Sequence, residues 1–576
     1  MIQHMEIDMK ILLVAINAKY IHSNPAVYSL KSCTGEYQSH VDIVEFTINQ
    51  QPSYILREIY KKHPDVVAFS CYIWNYSLID SIIPDLHNIL PDVDIWAGGP
   101  EVSYDAPEVI KRWQLRGVMT GPGEGVFHHL VYSYVQNTSD ELPIVLDGNS
   151  THRLSLDEIP FWYQDLTDFE HRIIYYESSR GCPFSCSYCL SSIDKTMDFR
   201  SVERVCRELD FFLEKKVPQV KFVDRTFNCK KDHALPILQH ILENDNGVTN
   251  FHFEVAADLL DDDYFALFEK LRPGAVQLEI GVQSTHEQTI SEIDRIMDFD
   301  KVAAAVERII DLDNIHVHLD LIAGLPYEDL QTFQNSFNDV YALYPEQLQL
   351  GFLKVLKGSN MEKRATEYEL VCTSLPPYEV LSTKWLSYED VCHLKGIEEV
   401  LEIYYNSRQF HNTLEYLCSY FDTPYAMYDF IASWYEEHDL FGIQSSRAQK
   451  YEILLECGIV HITACMHDQG DMVIAVFREY LTCDLYLREH MKNRPAFCTS
   501  LERWKNDIHD ILHEEAETHA LFPFLQNCNY RELTKMLHVE VFEYIFDKPT
   551  ALIFCYEKRN PLTNNCIWRC VSIDHV

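Results

Sequence analysis

Three cysteines stand in the segment Ser179 to Leu190, SRGCPFSCSYCL, at Cys182, Cys186 and Cys189, a CxxxCxxC spacing. With 18 cysteines among 576 residues, random placement would produce this spacing about 0.02 times per chain, so composition does not account for it. Thiolate is a soft ligand suited to iron–sulfur clusters or to zinc. Three thiolates on one loop can hold three irons of a cubane and leave the fourth without a protein ligand, open to chemistry. A structural zinc site wants a fourth ligand, normally from a second Cys or His pair at short spacing. None follows Cys189 closely, and Cys206 and Cys229 are the candidates further on. Both readings stay open on the residues alone, with the balance toward the cluster.

The elements around this loop predict an α/β protein with a helical end. From Lys10 to about Val135, short apolar runs at Ile11 to Ile16, Val41 to Phe46, Val66 to Cys71, Val93 to Ala97 and Gly117 to Thr120 alternate with helix-like stretches. That pattern predicts a doubly wound, Rossmann-like (flavodoxin-like) parallel sheet over residues 1–135. The polar stretch Gln136 to His152 reads as the start of a linker over 136–170. A second alternation over 171–360 has strand candidates Ile173 to Glu177, Gln219 to Asp224, Phe251 to Ala256, Val276 to Val282, Val317 to Ala323 and Gln347 to Leu356. Six such units predict a partial (β/α)6 barrel of TIM type, and Val202 to Leu213 has the helical period expected between its strands. Residues 361–576 read as mainly helical to about Phe546, with possible strands at Ala551 to Tyr556 and Cys566 to Ser572. His393, His411 and His467 in that region either line a pocket or pack helices, and packing is the simpler reading.

Charge and composition exclude several classes. The formal net charge of −40 repels phosphate backbones, so nucleic acid is an unlikely partner. No apolar run approaches the roughly 20 residues that cross a bilayer. The first ten residues lack a basic region followed by an apolar stretch, so a cytoplasmic protein is expected, with cysteines in metal, redox or buried roles rather than disulfides.

The CxxxCxxC spacing with an aromatic, Tyr188, before its last cysteine resembles the signature of the radical S-adenosylmethionine (SAM) superfamily. The resemblance implies a [4Fe-4S] cluster on Cys182, Cys186 and Cys189, whose open iron chelates the amino and carboxylate groups of SAM. Tyr188 would lie against the adenine, and reductive cleavage would give a 5′-deoxyadenosyl radical. FVDRTFN, Phe222 to Asn228, resembles the Asp-bearing turn of the cobalamin-dependent and methylthiolating subgroups, with Asp224 where many members carry a GGE motif. LEIGVQS, Leu278 to Ser284, and DLIAGLP, Asp320 to Pro326, are similar to the fourth and fifth strand motifs. On this resemblance Asp224, Glu254, Glu279, Gln283, Ser284, Asp320 and Arg295 are candidate SAM contacts, with Arg295 placed to bind its carboxylate. Helix capping, turn bonds and local ion pairs are the plain alternatives.

Three loops follow strands of the first sheet, at FSCYIWN (Phe69 to Asn75), AGGPEVS (Ala97 to Ser103) and TGPGEG (Thr120 to Gly125). Ahead of a radical SAM core they resemble the cobalamin-binding domain of the cobalamin-dependent group, which makes Ser70, Gly98, Gly99, Gly121, Gly123 and Glu124 candidate cobalamin contacts. The chain lacks a DxHxxG motif, so cobalamin without a protein histidine is expected, and His22 reads as a packing residue. NAKYIHSNPAVYSLKS, Asn17 to Ser32, and GFLKVLKGS, Gly351 to Ser359, look like an uncharacterised branch with an extra C-terminal domain. The implied activity is methyl transfer to an unactivated carbon, with a flavodoxin or ferredoxin as reductant. The rivals are a radical rearrangement or oxidation without methyl transfer, and a non-catalytic iron–sulfur scaffold. The substrate, whether peptide, lipid or small metabolite, leaves no signature.

Overall fold

The computed structural model describes residues 9–150, 153–466 and 470–573. The run Ile11–Asn17 is buried along its whole length, the signature of a parallel strand covered on both faces. Alternate residues go opposite ways. Leu12, Val14 and Ile16 pack with Ile55, Ile59, Ile79 and Val109, whereas Ile11, Leu13 and Ala15 pack with Val27, Phe127 and Leu130. The sheet is therefore doubly wound, in the order Val41–Thr47, Ile11–Asn17, Val66–Ser70, Asp94–Gly98, Gly117–Thr120, Val145–Asp147. The order reverses between Ile11–Asn17 and Val66–Ser70, and ligands of such sheets bind at the carboxyl ends beside that point.

The sixth strand corrects the expected linker. Val145–Asp147 pairs in parallel with Val118 to Thr120, inside the stretch read as linker from Gln136. Three residues on an edge, between Pro143 and Gly148, are too few to show a period.

The second sheet is all parallel in the order Gln347–Phe352, His316–Ala323, Val276–Gln283, Asn250–Val255, Gln219–Phe222, Ile174–Tyr176, an open six-stranded barrel. Along Val276–Gln283 the residues Val276, Leu278, Ile280 and Val282 are buried in the core under the outer helices. Gln277, Glu279 and Gly281, on the other face, are less buried.

The C-terminal region packs helices Tyr388–Leu401 and Pro424–Glu437 against the barrel side, with Arg447–Cys465 against Pro424–Glu437. A π-helical turn at Glu402–Asn406 brings Asn406 to the barrel's edge strand. Its Oδ1 accepts from the Leu348 amide at 2.9 Å and its Nδ2 donates to the Leu348 carbonyl at 2.8 Å. That amide covers an edge that would otherwise present unpaired groups. The end of the chain is a three-stranded antiparallel sheet, Leu537–Phe542, Thr550–Arg559 and Cys566–Ser572. Its first strand falls where helix was expected, because it follows the helix Tyr530–Met536 without a turn residue between them. His393 is ion-paired to Asp429 at 2.5 Å, His411 lines a small cavity with Tyr405 and Arg408, and His467 lies outside the described residues. All 18 cysteines are free thiols, and no described helix is long and apolar enough to cross a membrane.

Glu328 gives the barrel a pH signature. It is fully buried, accepts from Ser284 Oγ at 2.5 Å and Ser336 Oγ at 3.2 Å, and leaves Oε2 with no partner. Burial pushes its carboxyl up to about 8. Since the folded value exceeds the unfolded one, the contribution is complete below the ordinary carboxyl range and is lost as pH rises to about 8. The melting temperature is expected to fall across that window, and Glu328→Gln to flatten the fall. Parallel profiles for the two proteins would contradict the assignment.

Candidate functional site

The cysteine loop leaves the strand Ile174–Tyr176 through Ser178 and Ser179, and Asp224 roots it. Asp224 is wholly buried at the end of the neighbouring strand. It accepts from the Ser178 amide at 2.8 Å, from Ser178 Oγ at 2.5 Å and from Ser179 Oγ at 2.8 Å. Burial raises its carboxyl to about 6 in spite of those donors. Gly181 then turns at φ +96°, where a Cβ would lie 2.3 Å from the Thr196 carbonyl oxygen, so the loop requires glycine there. The last cysteines are pinned from behind, because Ser187 donates its amide to Ile293 and accepts from Met361, each at 2.8 Å.

Cationic and hydroxyl donors surround the thiols. Arg295 Nη1 lies 3.8 Å from Cys186 Sγ and 3.4 Å from Tyr188 Oη, and Thr226 Oγ1 lies 3.7 Å from Cys182 Sγ. Burial pushes the Cys186 thiol up, opposed by the Arg295 guanidinium.

Two orphaned polar atoms mark the neighbouring space. Gln283 sits at a bulge in its strand with φ +74°, its side chain over Gly281. Its Oε1 and the Nε of Arg295 are buried without partners. A strained residue and two unmet hydrogen-bonding groups beside a thiol cluster are what a polar ligand would complete. The residues present therefore fit a cluster with SAM.

The other candidate SAM residues divide. Ser284 turns away, to Glu328. Glu279 is consumed by His252 Nε2 at 2.9 Å and Lys221 Nζ at 3.1 Å, which hold its carboxyl down at about 2 against burial. Asp320 lies 3.0 Å from His318 Nε2. Asp320 Oδ1 is otherwise without a hydrogen-bond partner, and Glu254 makes neither hydrogen bond nor ion pair among the described residues; burial, opposed by Arg225, raises it to about 7. Tyr188 is largely buried against Ile290, Ile293 and Met361.

Lys221, His252 and His318 were missed. A signal existed, since Lys221, His252 with Glu254, Gln277 with Glu279, and His316 with His318 and Asp320 alternate with apolar residues on parallel strands that ordinarily read as apolar runs. Adjacent members share register, Lys221 with His252, Glu254 with Glu279 and Glu279 with His318, so they line one polar face.

The first sheet presents its carboxyl ends to this barrel mouth. Glu124 is bonded to Arg180 of the cysteine loop at 2.7 and 3.1 Å. Burial alone would raise Glu124, and the Arg180 charge overcomes it and holds the carboxyl low. Glu101 accepts from Tyr378 Oη at 2.5 Å and lies 3.3 Å from Lys357 Nζ, and Glu45 pairs with Arg172 at 2.5 Å. Three carboxylates of one domain thus clasp three cations of the next. Glu124 works as such a clasp, and Arg180 is a positioning residue that sequence reasoning missed. His22 spends Nδ1 on Tyr175 Oη at 2.6 Å.

The remaining loop residues surround the crevice. Ser70 Oγ accepts from Asn24 Nδ2 at 3.2 Å, and Tyr72 stacks on the half-exposed Trp74, centroids 4.4 Å apart. Gly98 and Gly123 have ordinary backbone angles, and a Cβ at Gly121 (φ +68°) would lie 2.7 Å from Asn149 Nδ2 and 3.3 Å from the Asn149 backbone nitrogen. Gly99 is different, with φ +112° and a would-be Cβ 2.4 Å from the Cys71 carbonyl oxygen. Gly99→Ala is expected to cost about 1–3 kcal/mol or more in cofactor-free protein. Thermal denaturation checks it, and an unchanged midpoint would show that the turn tolerates a side chain.

Known proteins share this layout. Residues 11–131 match the B12 binding domain, residues 176–340 the radical SAM superfamily, and residues 366–554 a protein of unknown function, DUF4080. The cobalamin-dependent radical SAM methyltransferase TokK of Streptomyces tokunonensis is 23% identical over 348 residues, covering 53% of this chain and 50% of the relative. The hopanoid C-3 methylase of Methylococcus capsulatus is 25% identical over 300 residues, 48% of this chain and 56% of the relative. The chain thus spans about half the length of the curated relatives it matches. Of solved structures, the cobalamin-dependent SAM radical enzyme OxsB superposes with a TM-score of 0.55 at 13% identity, covering 83% of this chain and 80% of OxsB. The radical SAM methyltransferase TsrM of Kitasatospora setae gives 0.53 at 15%, covering 64% and 79%. These two likenesses show the fold.

Proposed function

We infer that this chain, a member of the radical SAM superfamily with a B12-binding domain ahead of its barrel, is a cobalamin-dependent radical SAM methyltransferase acting on an unactivated carbon. When bound, the cluster with SAM supplies a 5′-deoxyadenosyl radical and cobalamin supplies a methyl group, chemistry beyond protein side chains. The observation that carries the reading is the bond between Glu124, which opens the helix after the fifth strand of the first sheet, and Arg180 of the cysteine loop. It sets the ligand-binding edge of one domain against the thiols of the other, so a substrate held between them meets both.

On this reading Cys182, Cys186 and Cys189 hold the cluster. Arg295 offsets thiolate charge and, with Gln283, binds polar groups of SAM, while Asp224 keeps the loop in place. Glu254 is the free carboxyl of the barrel mouth. Ser70, Gly98, Gly121 and the Tyr72–Trp74 pair border the cobalamin crevice, without a histidine ligand from His22. The three clasps hold the domains together and keep water from the space between them. A small iron–sulfur or flavin protein of flavodoxin or ferredoxin type would supply electrons. We take the first domain to run past Asp147, which its sixth strand requires, followed by a barrel domain over 171–360 and a C-terminal domain over 361–576.

Product analysis tests this. Anaerobic protein supplied with cobalamin, SAM and reductant should release both 5′-deoxyadenosine and S-adenosylhomocysteine. Deoxyadenosine alone would favour rearrangement or oxidation, and neither product would leave the scaffold reading.

A further inference from the structure

At the far end of the barrel, four arginines converge in a chain whose net charge is −40. The helix Gly470–Arg488 ends at Arg488, the helix Arg447–Cys465 begins at Arg447, and the strand Thr550–Arg559 ends at Arg559. With Gln409, Glu489 and Asn564 they line a cleft of 590 Å³. Arg408 is the fourth. Burial, and then the charges of Arg408, Arg559 and Arg447, depress Arg488, with Tyr451 opposing.

These charges are not balanced. Arg447 pairs with Glu489, the one carboxylate of the lining. Arg488 donates to the carbonyls of Thr563 at 2.5 Å and Ser407 at 2.7 Å, and Arg559 to those of Asn564 at 2.8 Å and Arg488 at 3.0 Å. A carbonyl accepts a proton without supplying charge, and each guanidinium carries five N–H groups, so both keep their charge and spare donors. Three lining arginines less one glutamate leave +2, with Arg408, whose charge also faces Glu346, beside them. Gln409 Oε1 and Arg488 Nε are buried with no partner. Like charges gathered in excess of their counter-charge are unfavourable unless something anionic joins them.

The cleft is remote from the cysteines. Ser407, to which Arg488 is bonded, follows Asn406, which binds Leu348 near the amino end of its strand. The cysteine loop leaves the carboxyl ends of the same parallel sheet.

We propose that this cleft binds a phosphate-bearing small molecule, a monoester or diphosphate, at a site separate from the barrel mouth. A net charge of +2 matches a dianion, and planar guanidinium forks suit phosphate oxygens two at a time. The site lies on the C-terminal domain and does not rest on the methyltransferase reading.

Calorimetric titration of the full chain with inorganic phosphate and with pyrophosphate tests it, against chloride at equal ionic strength. Saturable binding is expected. Arg447→Gln and Arg559→Gln, both on exposed side chains, should each weaken it about tenfold or more, with circular dichroism unchanged. Arg57→Gln, on a distant exposed helix, should leave it unaltered. No binding beyond that of chloride, or equal weakening by Arg57→Gln, would overturn the proposal. The monoester and diphosphate alternatives separate by which probe binds tighter.

Discussion

Replacing Cys182, Cys186 or Cys189 by serine is expected to strip iron from anaerobically prepared protein and lower 5′-deoxyadenosine release by about a thousandfold or more, some 4 kcal/mol of barrier. Hydroxyl is a harder, more weakly acidic donor than thiol and does not hold iron–sulfur clusters. On the proposed assignment each cysteine supplies one vertex, and Cys229, close enough to feel the charge of Cys182, is the nearest further thiol. Cys206→Ser and Cys229→Ser serve as controls. Cys206 lies on the outer helix Val202–Glu214 and Cys229 in the turn after Phe227, and both should retain iron and release. Melting of the cofactor-free variants separates ligand loss from misfolding, since the cluster positions are not core packing sites except for Cys186. Retained iron and release in any of the three would contradict the ligand assignment.

The second large effect is expected at Asp224. Asp224→Ala removes the acceptor of the Ser178 amide and of the Ser178 and Ser179 hydroxyls, leaving Ser178 Oγ only its contact with His233 Nε2 at 3.1 Å. At about 1–3 kcal/mol for each unmet buried donor, the loss is on the order of 3–5 kcal/mol after relaxation. Because those donors open the cysteine loop, cluster loading should fall although every cysteine remains. Asp224→Asn keeps the shape and one acceptor oxygen, so its loss should be smaller. It also removes a titration. With a folded value of about 6 above the ordinary carboxyl, wild-type stability from this group is complete below the unfolded value and declines as pH rises to about 6. Thermal melts with iron analysis check both statements. An Asp224→Ala protein that melts and loads like wild type would show that the loop is held otherwise.

Much of this architecture is legible in the residues. Ile11 to Ile16 and Val66 to Cys71 read as strands because a parallel strand buried on both faces needs an apolar run, and Val41 to Phe46, at the sheet edge, alternates in Asp42 and Glu45. The cysteine spacing points to one loop after one strand, where the structure has it. What escapes is either short or relational. Val145–Asp147 is an edge strand of three residues, and Leu537–Phe542 follows a helix without punctuation. Ser284 and Glu279 are candidates through the resemblance of LEIGVQS to a strand motif, and a motif cannot tell which neighbour will claim their hydrogen bonds. Glu328 takes one, and Lys221 with His252 takes the other. Glu124 shows the same limit, since its partner Arg180 lies 56 residues away in the next domain.

Electron paramagnetic resonance of the reduced, anaerobically prepared protein, recorded before and after SAM is added, bears most directly on the open iron. A cubane held by three thiolates should give an iron–sulfur signal whose line shape changes on SAM addition, as the ligand takes the fourth vertex. Stoichiometric zinc with no such signal, or an iron–sulfur signal indifferent to SAM, would contradict the account.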